Sequence, residues 1–363
     1  MAAPDPRPAS EPAAPASAAR LAGAVAFARG LGGRLLSALP ALFGVLALTF
    51  ILMRVLPGDP ASFFLSSPTA GEAELAIVRA RMGLDQPLPL QFLYYLGDLA
   101  TGDLGTAMTT GRPVVDDLAE RLPASLELTF AGLILALIVA IPAGVLAAMR
   151  PGSVFDHTVR VVCSAGVSLP TFVSGLLLVY IFYYWLGWAP DPTGRMDIFA
   201  FPPPNVTGFL LIDCALAGDW ETWGSVLSRL ALPSITMALF VIAPLARITR
   251  GSMIAVLTSD FVRTADAVGL PRRKIIVTYA LRNALIPVVT VSGTIFSTML
   301  GANVLVEKVF SWPGVGRYAL DALMSSDYAP VQGFVLLMAS IFVLVNLIID
   351  LTYALIDPRV SLA

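Results

Sequence analysis

Apolar residues in this 363-residue chain gather into long unbroken windows instead of alternating or recurring as narrow stripes. Six windows approach the 20 or so apolar residues that a bilayer requires: Leu35–Val55, Leu126–Met149, Val161–Leu186, Leu230–Ile254, Ala284–Val306 and Val331–Ile356. No alternation with a turn rhythm points to a barrel, and backbone groups in lipid must be paired internally, so each window predicts a spanning helix. The expected fold class is all-α integral membrane with six transmembrane helices. Composition agrees, since 57% of residues are hydrophobic and 13% charged, against about half and about a quarter in soluble domains.

The polar stretches between the windows divide the chain. Residues 1–33 are rich in Ala and Pro, carry Arg7, Arg20 and Arg29, and predict a disordered tail ahead of an uncleaved anchor over 34–56. Residues 57–123 are too long for a turn and contain helix-compatible text, so they predict a small ordered cap outside the membrane. Residues 124–360 form the core domain with the other five spans and a charged loop over 255–283. Arg247, Arg250, Arg263, Arg272, Arg273, Lys274 and Arg282 make the stretch 247–282, which contains that loop, the largest positive cluster of the chain, with only Asp260 and Asp266 against them. Such clusters stay on the inner side, which places the loop and both termini in the cytoplasm.

Within the loop, Ser259 is a plausible N-cap, Asp260 suits the first turn, and Gly269 before Leu270-Pro271 is a stop. A short helix over 259–269 puts Phe261, Val262, Ala265, Val268 and Gly269 on one nearly flat apolar face, with Arg263 and Asp266 elsewhere. Small residues at Ala265 and Gly269 admit a partner backbone, so this helix can dock into another protein's groove. The alternative is an interfacial helix resting on anionic lipid.

The run SDFVRTADAVGLPRRKIIVTYALRNALIP, from Ser259 to Pro287, resembles the cytoplasmic "EAA" loop of ABC importer permeases, in the form found in the dipeptide, oligopeptide and nickel permease family. That family's Glu-Ala-Ala is replaced here by Arg263, Thr264 and Ala265, so only the second Ala and Gly269 match its pattern. The phrases PGDP (57–60), GLDQPLPLQFLYYLGDL (83–99), GDLGT (102–106), RLPASLELT (121–129), WPGVGRYALDALMSSDYAPVQG (312–333) and VNLIIDLTYALIDPRV (345–360) resemble the same family in the same order. The resemblance spans about Leu35 to Val360. It implies a type I ABC importer permease bundle of the MetI-like kind in a bacterial inner membrane, importing peptides, or alternatively nickel or another small solute. It implies four kinds of partner: a second homologous permease, two ATPase domains that bind ATP and Mg, an extracytoplasmic substrate-binding protein, and the lipid bilayer. It implies that Asp260, Phe261, Arg263, Thr264, Ala265, Ala267, Gly269 and Leu270 form a coupling helix seated on the ATPase. No nucleic acid is expected among the partners.

Catalytic chemistry is not expected. There is no Walker A loop, no Cys-x-x-Cys and no His-x-x-x-His, and the single histidine, His157, cannot build a metal site. The chain is therefore expected to bind no cofactor or metal itself. Cys163 and Cys214 do not make a disulfide framework. Glu127 and Asp350 lie near span ends and read first as structural acids. A secondary transporter would need midplane charges or matched broken helices, and neither is visible. Thr290, Thr294, Thr298 and Asn303 make a weak polar stripe along the fifth window, with Gly293 and Gly301 allowing close helix approach. The stripe serves either helix packing or a translocation path, with Thr294, Thr298 and Asn303 as the path candidates.

Overall fold

The computed structural model describes residues 16–55, 79–80, 85–197 and 199–356. PGDP and most of the first half of the expected cap lie outside the described residues, as do the side chains of 16–31, 35, 167, 350 and 353–356, so the Asp350 side chain is among those not described. Helices dominate: α1 (Ala16–Val55), α2 (Leu88–Ala100), α3 (Val114–Met149), α4 (Val154–Ser168), α5 (Thr171–Leu178), α6 (Leu210–Ala217), α7 (Trp220–Leu257), α8 (Asp260–Ala267), α9 (Leu281–Val309), α10 (Val315–Met324) and α11 (Tyr328–Ile356). Among the described residues, five helical segments are long and apolar enough to cross a membrane: Gly32–Val55, Val114–Met149, Trp220–Leu257, Arg272–Val309 and Tyr328–Ile349.

Two expectations need correction. The first helix begins at Ala16, so the segment expected as a disordered tail is helical over its second half. The third window is not one straight helix. It is a pair, Val154–Gly166 and Thr171–Trp185, bent by 99° at a break. Leu169 stands in extended conformation at φ −94° and ψ 135°, directly before Pro170, and the ring of a proline disfavours helical backbone in the residue preceding it. Pro142, Pro244 and Pro287, by contrast, sit inside continuous helices.

The core lies where α3, α7 and α9 meet, with Leu128, Met237, Leu245, Val288 and Met299 buried among them. Small residues let the axes close. A methyl on Gly132 would stand 2.8 Å from the Met237 Cβ, and one on Gly144 would stand 2.7 Å from the Thr249 Cβ and 2.8 Å from the Ala246 carbonyl oxygen. Close approach of this kind is how helices associate in lipid, where apolar side chains gain nothing by leaving one apolar surface for another. Gly293 serves the same purpose against Ile349 of α11, whereas Gly301 faces open space.

Candidate coupling and translocation surfaces

At one end of the bundle the chain leaves α7 at Leu257, turns at Thr258–Ser259, forms α8 and returns through Arg272–Lys274 and a π-helical stretch, Ile275–Ala280, into α9. Ser259 occupies the cap position, but its hydroxyl donates to the Val256 carbonyl and does not cap α8. The far end closes as the sequence predicts. Gly269 adopts φ +81°, its N–H donates to the Asp266 carbonyl at 2.9 Å, and the Leu270 N–H reaches the Ala265 carbonyl at 3.2 Å. This paired arrangement satisfies two terminal carbonyls and needs a left-handed residue that glycine adopts without strain.

The faces of α8 differ from the expected division. Val262 and Ala265 are 7% and 8% exposed and pack with Ile275, flanked by Val256 and Leu270, so Ala265 faces its own chain and is not part of an outward face. The π-helical return brings Ile275 under α8, which spacing within α8 could not reveal. Outward stand Phe261 at 43% and Val268 at 75% exposure, with Asp260, Arg263, Thr264, Asp266, Ala267 and Gly269 exposed beside them. Leu270 is half-buried. Beneath α8 a cavity of about 460 Å³ opens between the ends of α3 and α7 and the π-helical return, lined by Met149, Ile254, Val262, Arg263, Arg272 and Ile276 among others. The helix is thus held by a few apolar contacts over a partly hollow seat.

A clamp near this end escaped the sequence reading. Arg250 of α7 donates from Nε to Asp156 Oδ1 at 2.6 Å and from an Nη to Oδ2 at 2.8 Å, and the Gly152 N–H donates to the same carboxylate at 2.9 Å. Ser153 caps α4 by accepting from the Asp156 N–H. The Ser153-x-x-Asp156 spacing is a helix-start signal that could have marked it. His157 is exposed beside it.

On α9 the polar stripe splits. Thr294 and Thr298 are exposed, and the Thr298 hydroxyl donates back to the Thr294 carbonyl. Asn303 is 1% exposed; its amide donates to the Ser125 carbonyl at 3.1 Å and the Thr129 hydroxyl at 2.8 Å of α3. As a path-lining candidate Asn303 is therefore corrected to a helix-packing residue. One turn on, Glu307 is fully buried. It accepts from the Ser125 hydroxyl and from the Arg317 N–H at 2.8 Å, while Gly314 and Gly316 lie so close that added methyls would collide with it or with Val304. Trp312 closes the cage, its indole N–H donating to the Ala124 carbonyl at 2.9 Å. The signal was the acid five residues before Trp-Pro-Gly-Val-Gly, a glycine spacing that leaves room for a carboxylate.

Two further acids knit this end. Glu127 is ion-paired with Arg195 and accepts from the Leu211 N–H at 2.9 Å, a structural placement that ties α6 and the loop ahead of it to α3. Asp117 accepts from Thr110, Arg121 and the Tyr318 hydroxyl. Burial, and then the hydrogen bond to Asp117, push the Tyr318 hydroxyl well above its ordinary pKa, so it stays a donor.

Comparison with known proteins gives one answer along nearly the whole chain. Residues 140–362 match the binding-protein-dependent transport system inner membrane component family, and residues 28–129 match the N-terminal domain of the same kind of component. A probable D,D-dipeptide transport system permease protein of Escherichia coli K12 is 43% identical over 318 residues, covering 88% of this chain and 93% of that protein. A di/tripeptide transport system permease protein of Pseudomonas aeruginosa is 42% identical over 322 residues, covering 89% of this chain and 95% of that protein. A glutathione transport system permease protein of Escherichia coli is 37% identical over 327 residues, covering 90% and 97%.

Proposed function

The chain belongs to the family of binding-protein-dependent transport system inner membrane components, and from that premise we propose that it is one of two permease subunits of an ABC importer for short peptides. The relatives named for dipeptides and for di- and tripeptides, at about 40% identity over most of the chain, support the peptide class. In this reading the chain sits in the inner membrane with both termini and the 255–283 loop in the cytoplasm. It hydrolyses nothing. ATP and Mg bind to two partner ATPase domains, a solute-binding protein delivers the peptide from outside, and a second permease completes the path.

The observation that carries the mechanism is the two-sided α8. Its inner side rests on the chain through Val262 and Ala265, and its outer side offers Phe261 and Val268 to solvent. Closure of the ATPases around ATP displaces α8 through those exposed residues, and the Schellman closure at Gly269 carries the displacement into α9 as a rigid element. Thr294 and Thr298, exposed on α9, are the path residues of this chain. The test is peptide uptake into proteoliposomes that hold the complete complex. ATP-dependent uptake of a dipeptide that requires the binding protein supports the reading, and uptake driven by a proton gradient without ATP overturns it.

A further inference from the structure

Between α4 and α7, away from α8, lies a crevice of about 200 Å³ lined by Arg160, Cys163, Ser164, Ala246, Arg247 and Arg250 among others. Its charges do not balance. Asp156 is spoken for by the two-pronged contact from Arg250, and Arg160 stands 3.8 Å from the same carboxylate. Arg247 has no carboxylate within ion-pair distance among the described residues. Three arginines thus line the crevice, one carboxylate pairs with two of them, and Arg160 and Arg247 are exposed. The rest of its lining is apolar or small, with Val159 and Cys163 from α4 and Ala243 and Ala246 from α7. An anionic head and an apolar tail are the complement of such a surface, and basic crevices between spanning helices on the inner side suit lipid headgroups.

We propose that this crevice holds the phosphate of an anionic phospholipid of the cytoplasmic leaflet, paired with Arg160 and Arg247, its acyl chains entering beside Val159. The assignment of the leaflet rests on the orientation proposed above. The bound lipid ties α4, half of the broken third span, to the stretch of α7 that leads into α8. Lipid charge then bears on how α8 is seated.

The test uses the full chain purified with its partner subunits, in nanodiscs of phosphatidylcholine with or without phosphatidylglycerol, and reads retained lipid by native mass spectrometry. The native complex is expected to retain phosphatidylglycerol in preference, and Arg160→Ala with Arg247→Ala to weaken that preference about thirtyfold, the usual worth of two cations at a lipid surface. Arg272→Ala with Arg273→Ala removes the same charge from the loop and should leave it intact. Equal loss in both double variants overturns the site in favour of diffuse surface charge, and displacement of the lipid by millimolar inorganic phosphate overturns it in favour of a free-anion site. Should the arginine variant not assemble, Val159→Trp in the otherwise native chain serves instead. Its fluorescence should be quenched more by brominated phosphatidylglycerol than by brominated phosphatidylcholine, and equal quenching rejects the proposal. Labelling of a cysteine at Arg273 from outside intact cells would show that the orientation has failed, separately from the lipid preference.

Discussion

The two ends of the bundle are held by different chemistry. At the end away from the loop, buried polar groups cross-link α3, α9 and α10. Glu307 and Asn303 reach Ser125 and Thr129, Trp312 reaches Ala124, and Tyr318 reaches Asp117, all with both partners largely or wholly out of solvent. At the loop end α8 is seated by Val262, Ala265 and Ile275 over a cavity, and its charges are in water, the Asp260 side chain fully exposed and that of Arg263 at 76%. Directional bonds that cannot be exchanged for water fix one arrangement, whereas a small apolar contact can slide. The contrast suits a machine in which one end is a frame and the other is a handle.

Removing the frame's central acid should have the largest effect. Glu307→Ala leaves the Ser125 hydroxyl and the Arg317 N–H without an acceptor in a buried site, a cost of about 2–4 kcal/mol or more with the cavity added. We expect little folded protein, read as monodisperse recovery from the membrane in mild detergent. Glu307→Gln keeps one acceptor and should recover part of it. A Glu307→Ala protein that extracts as well as native would mean that the two ends are equally soft.

Next comes Ala265→Asp. The residue packs on Ile275 and Leu270, so a carboxylate there is buried without a partner at a cost of several kcal/mol, and α8 should swing off its seat while the spans remain. Hydrogen exchange should rise across 260–270 and stay unchanged in α3 and α9. If exchange stays low and only ATPase binding is lost, Ala265 belongs to the outward face after all.

This is also where the sequence stops being informative. The spans, the basic loop and the left-handed Gly269 are set by composition and by neighbours one or two positions away, and they are readable from the chain. The direction of Ala265 depends on a π-helical return ten residues downstream. The roles of Asn303 and Glu307 depend on Ser125, more than 170 residues back along the chain. A polar stripe on one helix has the same pattern whether it lines a path or meets a second helix, so Thr294 and Thr298 could not be separated from Asn303 by spacing. Of Pro142, Pro170, Pro244 and Pro287, Pro170 alone stands at a helix break, and no local feature of the other three foretells that a continuous helix absorbs them.

Gly269→Ala should be smaller, about 1 kcal/mol, because a side chain must take the left-handed region but meets nothing within 4 Å. A strained closure should weaken the link between α8 and α9 more than it weakens the fold. The expected reading is normal recovery of the complex with ATP hydrolysis that no longer tracks uptake. Loss of recovery equal to that of Glu307→Ala would place Gly269 in the frame.

The smallest effect on the chain itself, and the sharpest on its partner, is expected from Phe261→Ser with Val268→Ser. Val268 is 75% exposed and Phe261 43%, so their removal takes from this chain mainly the covered part of the Phe261 ring and should leave recovery unchanged and lower thermal unfolding of the isolated subunit only slightly. If the outer side of α8 enters an ATPase groove, those same two side chains become buried there, and their loss should release the ATPase subunits during purification. Arg272→Ala is the matched control at the rim of the cavity and should keep them bound. A double serine variant that retains its ATPases and its coupled uptake, while Arg272→Ala loses both, would show that charge and not the apolar outer side of α8 is what the ATPase grips, and the handle would have to be redrawn around the basic return.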